Sequence, residues 1–285
     1  MNTLSSPRSE IVAFLGIAYS LALTVALALP HSDLNVLLSV LIPAVTVGIL
    51  TFTVHKKGQR RNVWHTIGLA RGGFRVWPAA ILLPCALASA TYGIALVMGA
   101  GRLDVHLADA TPDWMFNLAF SLVVGNLFIL GEEIGWRGYL LPRFQQLTDK
   151  RRAAVVTGFF HGCSHLPLIL LATTYDTGAP KWFAAPMAVA VITAGGVFYA
   201  WIWDRSKSVW PVTIAHNVVD TVFELAAAGV LATAGWNIAY VAGETGFATL
   251  GVCVVTAVVL LMRAKVWQEQ APELPVQKPA ATLAA

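Results

Sequence analysis

The sequence predicts an all-α protein that crosses a membrane about eight times. Of its 285 residues, 57% are hydrophobic and only 12% are charged, whereas soluble domains carry about 25% charged residues. Eight largely apolar runs of 18 to 24 residues are separated by polar segments, and about 20 apolar residues suffice for a helix to cross a bilayer. Composition and run length together exclude an ordinary soluble domain.

The apolar runs divide the chain into five segments. A polar leader (1–10) precedes three runs within 11–112 (11–29, 34–54 and 76–99), four runs within 113–234 (114–131, 153–172, 184–203 and 212–234) and a last run within 235–267 (245–262), followed by a tail (268–285). The first run is long for the apolar part of a signal peptide, so we expect it to be retained. The proline-containing tail lacks apolar periodicity and is expected to be disordered.

Basic residues are distributed unevenly among the polar segments. Six of them lie between the second and third runs with no acidic residue between them: Lys56, Lys57, Arg60, Arg61, Arg71 and Arg75. If that loop is cytoplasmic, both termini are too, and only Arg102 and Lys181 of the 19 basic residues lie outside. This asymmetry follows the positive-inside rule and predicts a multi-pass protein of the cell membrane. It explains the net charge of +4 without a nucleic-acid partner.

Ionisable residues at the end of the fourth run are the first candidates for a site. Glu132 and Glu133 follow Gly131, and Arg137 comes one turn later. Charged groups at membrane depth are costly unless they are paired or hydrated, and they usually mark function. On a helix Glu133 and Arg137 are four residues apart and can pair, while Glu132 points about 100° away. Glu132 is therefore the carboxylate without a partner in its own helix.

Further ionisable residues lie in two other apolar runs. His161 and His165 are one turn apart in the fifth run, and His216 and Asp220 are one turn apart in the seventh. The predicted topology places these groups between the cytoplasmic face and the middle of the bilayer. Small residues at Gly131, Gly135 and Gly158 would let the helices pack closely around them. The simpler interpretation is that each polar group only joins helices by hydrogen bonds.

These residues resemble the three signatures of the CPBP intramembrane proteases, the family of CAAX prenyl protease 2, Abi and bacteriocin-processing proteins. The signatures are Glu-Glu-x-x-x-Arg, aromatic-x-x-x-His and His-x-x-x-Asn/Asp. They correspond to Glu132-Glu133…Arg137, to the segment ending at His165, and to His216…Asp220. Two departures occur: His161 replaces the aromatic residue, and Asp220 stands where prenyl proteases have asparagine.

The resemblance implies an intramembrane endopeptidase with a cytoplasm-facing site and a glutamate-activated water. It implies that Glu132 and His165 activate the water, and that His216 and the Asp220 position stabilise the oxyanion. Glu133, held by Arg137, would orient the helix. The implied partners are a peptide or membrane-protein substrate and the lipid bilayer.

A metal-dependent hydrolase is the alternative mechanism. Catalytic zinc takes three protein ligands and an open position, and His161, His165 and His216 are candidate ligands, with Asp220 as a further source. No His-Glu-x-x-His signature is present, so no cofactor is preferred, although zinc is compatible with the residues. The simpler interpretation is that His161 hydrogen-bonds a neighbouring backbone group or carboxylate. His161→Phe should then leave activity near that of the wild type.

Two other classes of function use similar residues. A proton- or cation-coupled transporter also needs buried carboxylates and histidines, but it usually shows an internal repeat, and none is apparent. A catalytically idle membrane adaptor or immunity protein is also compatible with the family resemblance. Cleavage of a peptide by the purified protein distinguishes the protease from both.

The topology can be tested by cysteine labelling. Single cysteines are introduced into a background from which Cys85, Cys163 and Cys253 have been removed. A membrane-impermeant reagent added to intact cells should label positions in the loop 173–181 and not positions in the loop 58–71, because the basic loop is predicted to be cytoplasmic. Labelling of the basic loop from outside would contradict this orientation, and permeabilised cells show that both positions can react.

Overall fold

The computed structural model describes residues 6–104, 112–173 and 178–268. This part of the chain is almost entirely helical, which confirms the predicted all-α class. Its helices are α1 Pro7–Ala28, α2 Leu34–Thr53, α3 Lys57–Thr66, α4 Trp77–Val97, α5 Pro112–Glu133, α6 Leu141–Phe144, α7 Lys150–Ser164, α8 Leu166–Leu171, α9 Lys181–Ser206, α10 Val209–Ala228 and α11 Phe247–Arg263. The predicted tail lies outside the described residues, apart from its first residue.

Seven of the eight apolar runs lie almost entirely in helices, whereas the seventh, 212–234, is helical only as far as Ala228 and then forms the strand Val230–Ala232. Six helical stretches are long and apolar enough to cross a membrane: Pro7–Ala28, Leu34–Thr53, Phe74–Val97, Leu118–Phe144, Lys150–Leu171 and Lys181–Ser206. The seventh and eighth runs correspond to α10 and α11, which are not among the six, and α11 has only 17 residues. The chain is thus a polytopic membrane protein, while the count of eight crossings stays a prediction.

The helix that carries the paired glutamates does not end where the apolar run ends. After α5, a π-helical segment, Ile134–Leu140, leads directly into α6. All seven residues of the π-helical segment are buried. Glu132 and Glu133 therefore lie near the middle of the stretch Leu118–Phe144 and not at its end. π-helical turns are rare and occur frequently at functional sites.

The fifth apolar run is divided in two at His165. The helix α7 ends at Ser164, and α8 begins at Leu166. Pro167 is in the first turn of α8, where a missing backbone N–H costs nothing because it would have no helical partner anyway. His165 thus lies at a junction between two helices.

Glycines allow the helices around the glutamates to approach closely, as the sequence predicts. A methyl group on Gly135 would lie 2.2 Å from Cβ of Pro43 in α2, and one on Gly131 would lie 2.9 Å from the carbonyl oxygen of Val40. A methyl group on Gly158 of α7 would lie 2.7 Å from the carbonyl oxygen of Thr193 in α9. The backbone of α2 is therefore in near contact with the end of α5 and the π-helical segment, and the backbone of α7 is in near contact with that of α9.

A polar cluster joins the first turn of α1 to the end of the fourth membrane stretch. Glu10 accepts a hydrogen bond from the hydroxyl of Tyr139 (3.2 Å) and forms an ion pair with Arg143. His55, just beyond α2, lies 3.9 Å from the same carboxylate. Burial is the main influence on His55 and lowers the pKa of its imidazole. The cluster anchors α1 to the segment that follows the π-helical turn.

The basic loop contains a short helix, α3, and the opposite end of the bundle carries a small sheet. Val63 of α3 is buried, whereas Lys57 and Arg61 are exposed, as expected for a helix with one apolar face. The strands β1 Gly101–Leu103 and β2 Val230–Ala232 pair antiparallel, with Gly101 opposite Ala232. This pair connects the ends of α4 and α10.

The close contact at Gly135 predicts a loss of stability on substitution. In Gly135→Ala the new methyl group would overlap Pro43, and overpacking of this kind costs about 1–3 kcal/mol. The midpoint of thermal unfolding in detergent should therefore fall. Gly48→Ala in α2 is the matched control, since no atom lies within 4 Å of its added methyl group. Equal midpoints for the two variants would contradict the packing.

Candidate active site

Three parts of the chain bring their ionisable residues to one place. Glu132, Glu133 and Arg137 come from the end of α5 and the π-helical segment, His161 and His165 from α7 and its junction with α8, and His216 and Asp220 from α10. The rings of His161 and His216 are 5.8 Å apart, and those of His161 and His165 are 5.1 Å apart. The grouping predicted from the sequence is therefore present.

Glu133 is a buried carboxylate whose hydrogen bonds all fall on one oxygen, since its Oε2 has no hydrogen-bond partner among the described residues. Its side chain is 0% exposed, and its Oε1 accepts hydrogen bonds from Nη1 of Arg137 (2.9 Å) and from Nδ1 of His216 (2.7 Å). The predicted pairing of Glu133 with Arg137 within one helix is confirmed. A charge at this depth is expensive unless it is paired, so Arg137 and His216 account for its presence.

Tyr199 of α9 is a member of the site that the sequence did not reveal. The guanidinium of Arg137 lies 4.7 Å from the centre of the tyrosine ring, and the ring of His216 stacks on the same tyrosine at 5.0 Å and 30°. A cation over an aromatic face is attracted by the ring's quadrupole. A single tyrosine in an apolar run carries no signal of this contact, because the contact depends on how α9 crosses α5 and α10.

Glu132 has a partner from another helix. Its Oε2 is 2.8 Å from Nε2 of His161, and both residues are buried, at 6% and 1% exposure. The sequence predicted no partner within the helix, which holds, but it did not predict that His161 takes this position. The hydrogen bond to a neighbouring carboxylate that the simpler interpretation of His161 expects is thus present, while the choice between that interpretation and a metal ligand stays a prediction.

The hydrogen bonds of His161 define which nitrogen carries its proton. Nη1 of Arg137 lies 3.2 Å from Nδ1 of His161, and a guanidinium can only donate. Nδ1 must therefore accept, which leaves the proton on Nε2, where it is donated to Glu132. The ring is thus neutral. Its Nε2 carries a hydrogen and has no lone pair in the plane of the ring that could bind a metal ion.

His165 does not touch Glu132 directly. Its Nδ1 donates to the carbonyl oxygen of His161 at 3.1 Å, and in the tautomer with a single proton on Nδ1 the other nitrogen, Nε2, is an acceptor. One ligand atom from each of Glu132, His161 and His165 lies within 4.8 Å of the other two. A water molecule with hydrogen bonds of about 2.8 Å can bridge groups at this spacing.

The predicted metal ligands are only partly brought together. Among the described residues, His161 and His165 cluster with Glu132, whereas His216 is bonded to Glu133. Zinc binds a histidine through a nitrogen lone pair, and the contact from Arg137 leaves none on Nε2 of His161. Zinc held through that nitrogen would therefore require Nδ1 of His161 to give up its contact with Arg137.

Asp220 is near His216 but is more exposed than the rest of the cluster. Its Oδ1 is 4.0 Å from Nε2 of His216, and its side chain is 45% exposed. His216 thus has a carboxylate near each of its two ring nitrogens, Glu133 on one side and Asp220 on the other. An ionised carboxylate has no proton to donate, so Asp220 differs chemically from the asparagine it replaces.

A cavity of about 330 Å³ opens onto these groups. Glu132, His161, His165, His216 and Asp220 all line it, and most of the remaining wall is apolar, as in small-molecule and peptide sites generally. The wall also includes Glu244, from the segment between β2 and α11. Glu133 and Arg137 do not line the cavity, which agrees with a supporting role.

The comparisons with known proteins match the part of the chain that carries these residues. Residues 112–222 match the family model described as type II CAAX prenyl endopeptidase Rce1-like, and this range contains all the site residues predicted from the sequence. CAAX prenyl protease 2 of Methanococcus maripaludis is 24% identical over 136 residues, which cover 44% of this chain and 50% of that protein. The match therefore spans about half the length of the relative.

The match falls on the three signature motifs and on the helices that assemble them, and the buried pair Glu133–Arg137 has the geometry that the first motif predicts. Through residues 112–222, the chain is therefore similar to the type II CAAX prenyl endopeptidase Rce1-like family.

Proposed function

We propose that this protein is an intramembrane endopeptidase in which Glu132 activates a water molecule to hydrolyse a peptide bond. The observation that carries the proposal is the different surroundings of two adjacent carboxylates. Glu133 is enclosed by Arg137 and His216, whereas Glu132 lines the cavity and has His165 within bridging distance of a water. Peptide hydrolysis needs such a base beside space for substrate.

The reaction follows from the positions of these groups. Glu132 takes one proton from the water, while Nε2 of His165 accepts a hydrogen bond from the other O–H group of the same water. The water oxygen then attacks the carbonyl carbon of the peptide bond. The tetrahedral oxyanion needs a donor, and Nε2 of His216 is the ring nitrogen that Glu133 does not occupy. The C–N bond then breaks, and the proton held by Glu132 passes to the leaving amine.

Asp220 acts on His216 in this proposal and not on the oxyanion. Its carboxylate faces Nε2 of His216 from 4.0 Å and favours a proton on that nitrogen, which could then be donated to the oxyanion. The asparagine found in prenyl proteases could donate a hydrogen bond itself. Because Asp220 replaces that asparagine, we propose that His216 stabilises the oxyanion in this chain without help from the residue at position 220.

The substrate is a peptide or a membrane protein that reaches the cavity from the bilayer or the cytoplasmic side. The name of the related Methanococcus protein makes a prenylated C-terminal peptide the first substrate to test. We further propose a location in the cell membrane, with both termini in the cytoplasm, because 17 of the 19 basic residues, all except Arg102 and Lys181, are then on or facing that side.

Glu132→Gln should abolish cleavage without unfolding the protein. Glutamine keeps the shape of the side chain but cannot accept a proton, and loss of a general base typically costs a factor of about 10² to 10⁴ in rate. The rate is measured with purified protein in vesicles, against prenylated peptides and peptides containing a transmembrane helix. Glu224→Gln, an exposed position on α10, is the control and should remain active.

A comparison of Glu132→Gln with Glu133→Gln decides which of the two carboxylates is the general base. Glu133→Gln should lower thermal stability as well as activity, because it leaves Arg137 buried without its charge partner. Full proteolysis by Glu132→Gln together with a folded, inactive Glu133→Gln would reverse the assignment. A wild-type protein that cleaves none of these peptides would contradict the proposed function.

Metal analysis tests the mechanism independently. Because Nε2 of His161 carries a proton, the purified protein should contain no stoichiometric zinc, and a chelator should leave cleavage unchanged. Elemental analysis of the wild type and of His161→Phe gives the comparison. One zinc ion per chain that disappears in His161→Phe would establish the metal-dependent alternative.

A further inference from the structure

One ionisable residue lies at the centre of the site but has no place in the reaction described above. His161 occupies the position where the family motif has an aromatic residue, yet it is hydrogen-bonded on both ring nitrogens and is 1% exposed. An aromatic hydrocarbon ring could fill the same volume but could make neither bond. The two hydrogen bonds are therefore particular to the histidine.

The first bond connects His161 to the supporting ion pair. Nη1 of Arg137 has two hydrogens, and it contacts both Oε1 of Glu133 (2.9 Å) and Nδ1 of His161 (3.2 Å). Arg137 is itself buried and lies against the ring of Tyr199, so its direction is defined by its surroundings. The guanidinium thus sets both the rotation and the proton position of the His161 ring.

The second bond connects His161 to the proposed base. Nε2 donates to Oε2 of Glu132 at 2.8 Å, which holds one carboxylate oxygen and leaves the other for a water in the cavity. The ring of Trp136 stacks on His161 at 5.1 Å and 30°, which opposes rotation of the imidazole. A continuous chain of hydrogen bonds therefore runs from Glu133 through Arg137 and His161 to Glu132.

We infer that His161 is a positioning residue that fixes the carboxylate of Glu132 and couples it to the Glu133–Arg137 ion pair. This inference rests on the proposed function, since it assigns His161 a role through the base. It also predicts that Arg137 affects catalysis without touching the reacting groups. The sequence alone predicts that a phenylalanine at this position is harmless, but the contact with Glu132 changes that expectation.

The first experiment compares two variants of His161 in the cleavage assay. His161→Phe keeps a ring against Trp136 but loses the donor to Glu132, so kcat should fall about 100-fold, the size of effect that a misplacement of about 1 Å can cause. KM should stay within about twofold, because the cavity wall remains largely intact. His161→Gln, whose amide N–H can reach Glu132, should recover kcat to within about tenfold of the wild type.

The second experiment observes the proton directly and needs no substrate. The chain has seven histidines, and nitrogen-15 NMR of histidine-labelled protein separates rings protonated on Nδ1 from those protonated on Nε2. The resonance missing in His161→Phe identifies His161. We expect a neutral ring with its proton on Nε2, and Arg137→Gln should alter that signal although residue 161 is unchanged.

The outcomes distinguish this inference from the proposed function. If the wild type cleaves peptide and folded His161→Phe keeps its kcat, the positioning role is wrong and the protease assignment stands. If His161→Gln is as slow as His161→Phe while both remain folded, the donor role is likewise wrong. If the wild type cleaves nothing, the protease assignment fails, and a proton found on Nδ1 would separately overturn the contact with Glu132.

Discussion

The ion pair between Glu133 and Arg137 is the interaction on which the arrangement of the site depends. Both side chains are buried, at 0% and 1% exposure, in the interior of a helical bundle rich in apolar residues. Taking two charges out of water costs several kcal/mol for each ion unless further hydrogen bonds compensate. Those compensating groups come from other helices, namely His216 of α10, His161 of α7 and Tyr199 of α9. Satisfying one ion pair therefore brings four helices together.

The same ion pair makes two adjacent glutamates chemically different. Glu133 accepts two hydrogen bonds on its Oε1 from buried donors within the protein, while Glu132 faces a cavity and accepts from one neutral ring. Neighbouring carboxylates in unlike surroundings commonly divide structural and chemical roles. The division here does not come from the glutamates themselves, which are identical, but from the 100° that separates consecutive residues on a helix.

Much of this could be predicted from the sequence because it depends on local spacing. The all-α class follows from the apolar runs, and the Glu133–Arg137 pair follows from the separation of four residues. Residues 132, 165, 216 and 220 were identified by motif and do line one cavity. Close packing at Gly131, Gly135 and Gly158 was expected from residue size alone and is present.

The remaining features depend on how helices that are distant in sequence cross, and the spacing of residues along one helix does not predict those crossings. The contact between His161 and Glu132 joins residues 29 positions apart, and its geometry depends on the close approach of α7 to α5. Tyr199 joins the site for the same reason. The helix break at His165 and the π-helical segment were also missed, because the apolar pattern is the same across an α-helical and a π-helical turn. A hydropathy pattern reports burial and not the hydrogen-bonding register.

The π-helical segment has a consequence for the far end of the same membrane stretch. A π turn takes one more residue than an α turn, so side chains after it are rotated by about 100° relative to an uninterrupted helix. Glu132 and Glu133 before it face α7 and α10, whereas Tyr139 and Arg143 meet Glu10 of α1. The segment thus rotates the direction in which side chains point, so that residues before it and residues after it contact different helices. Its length in residues is consequently constrained as tightly as its composition, since losing one residue would turn one set of contacts away from its partners.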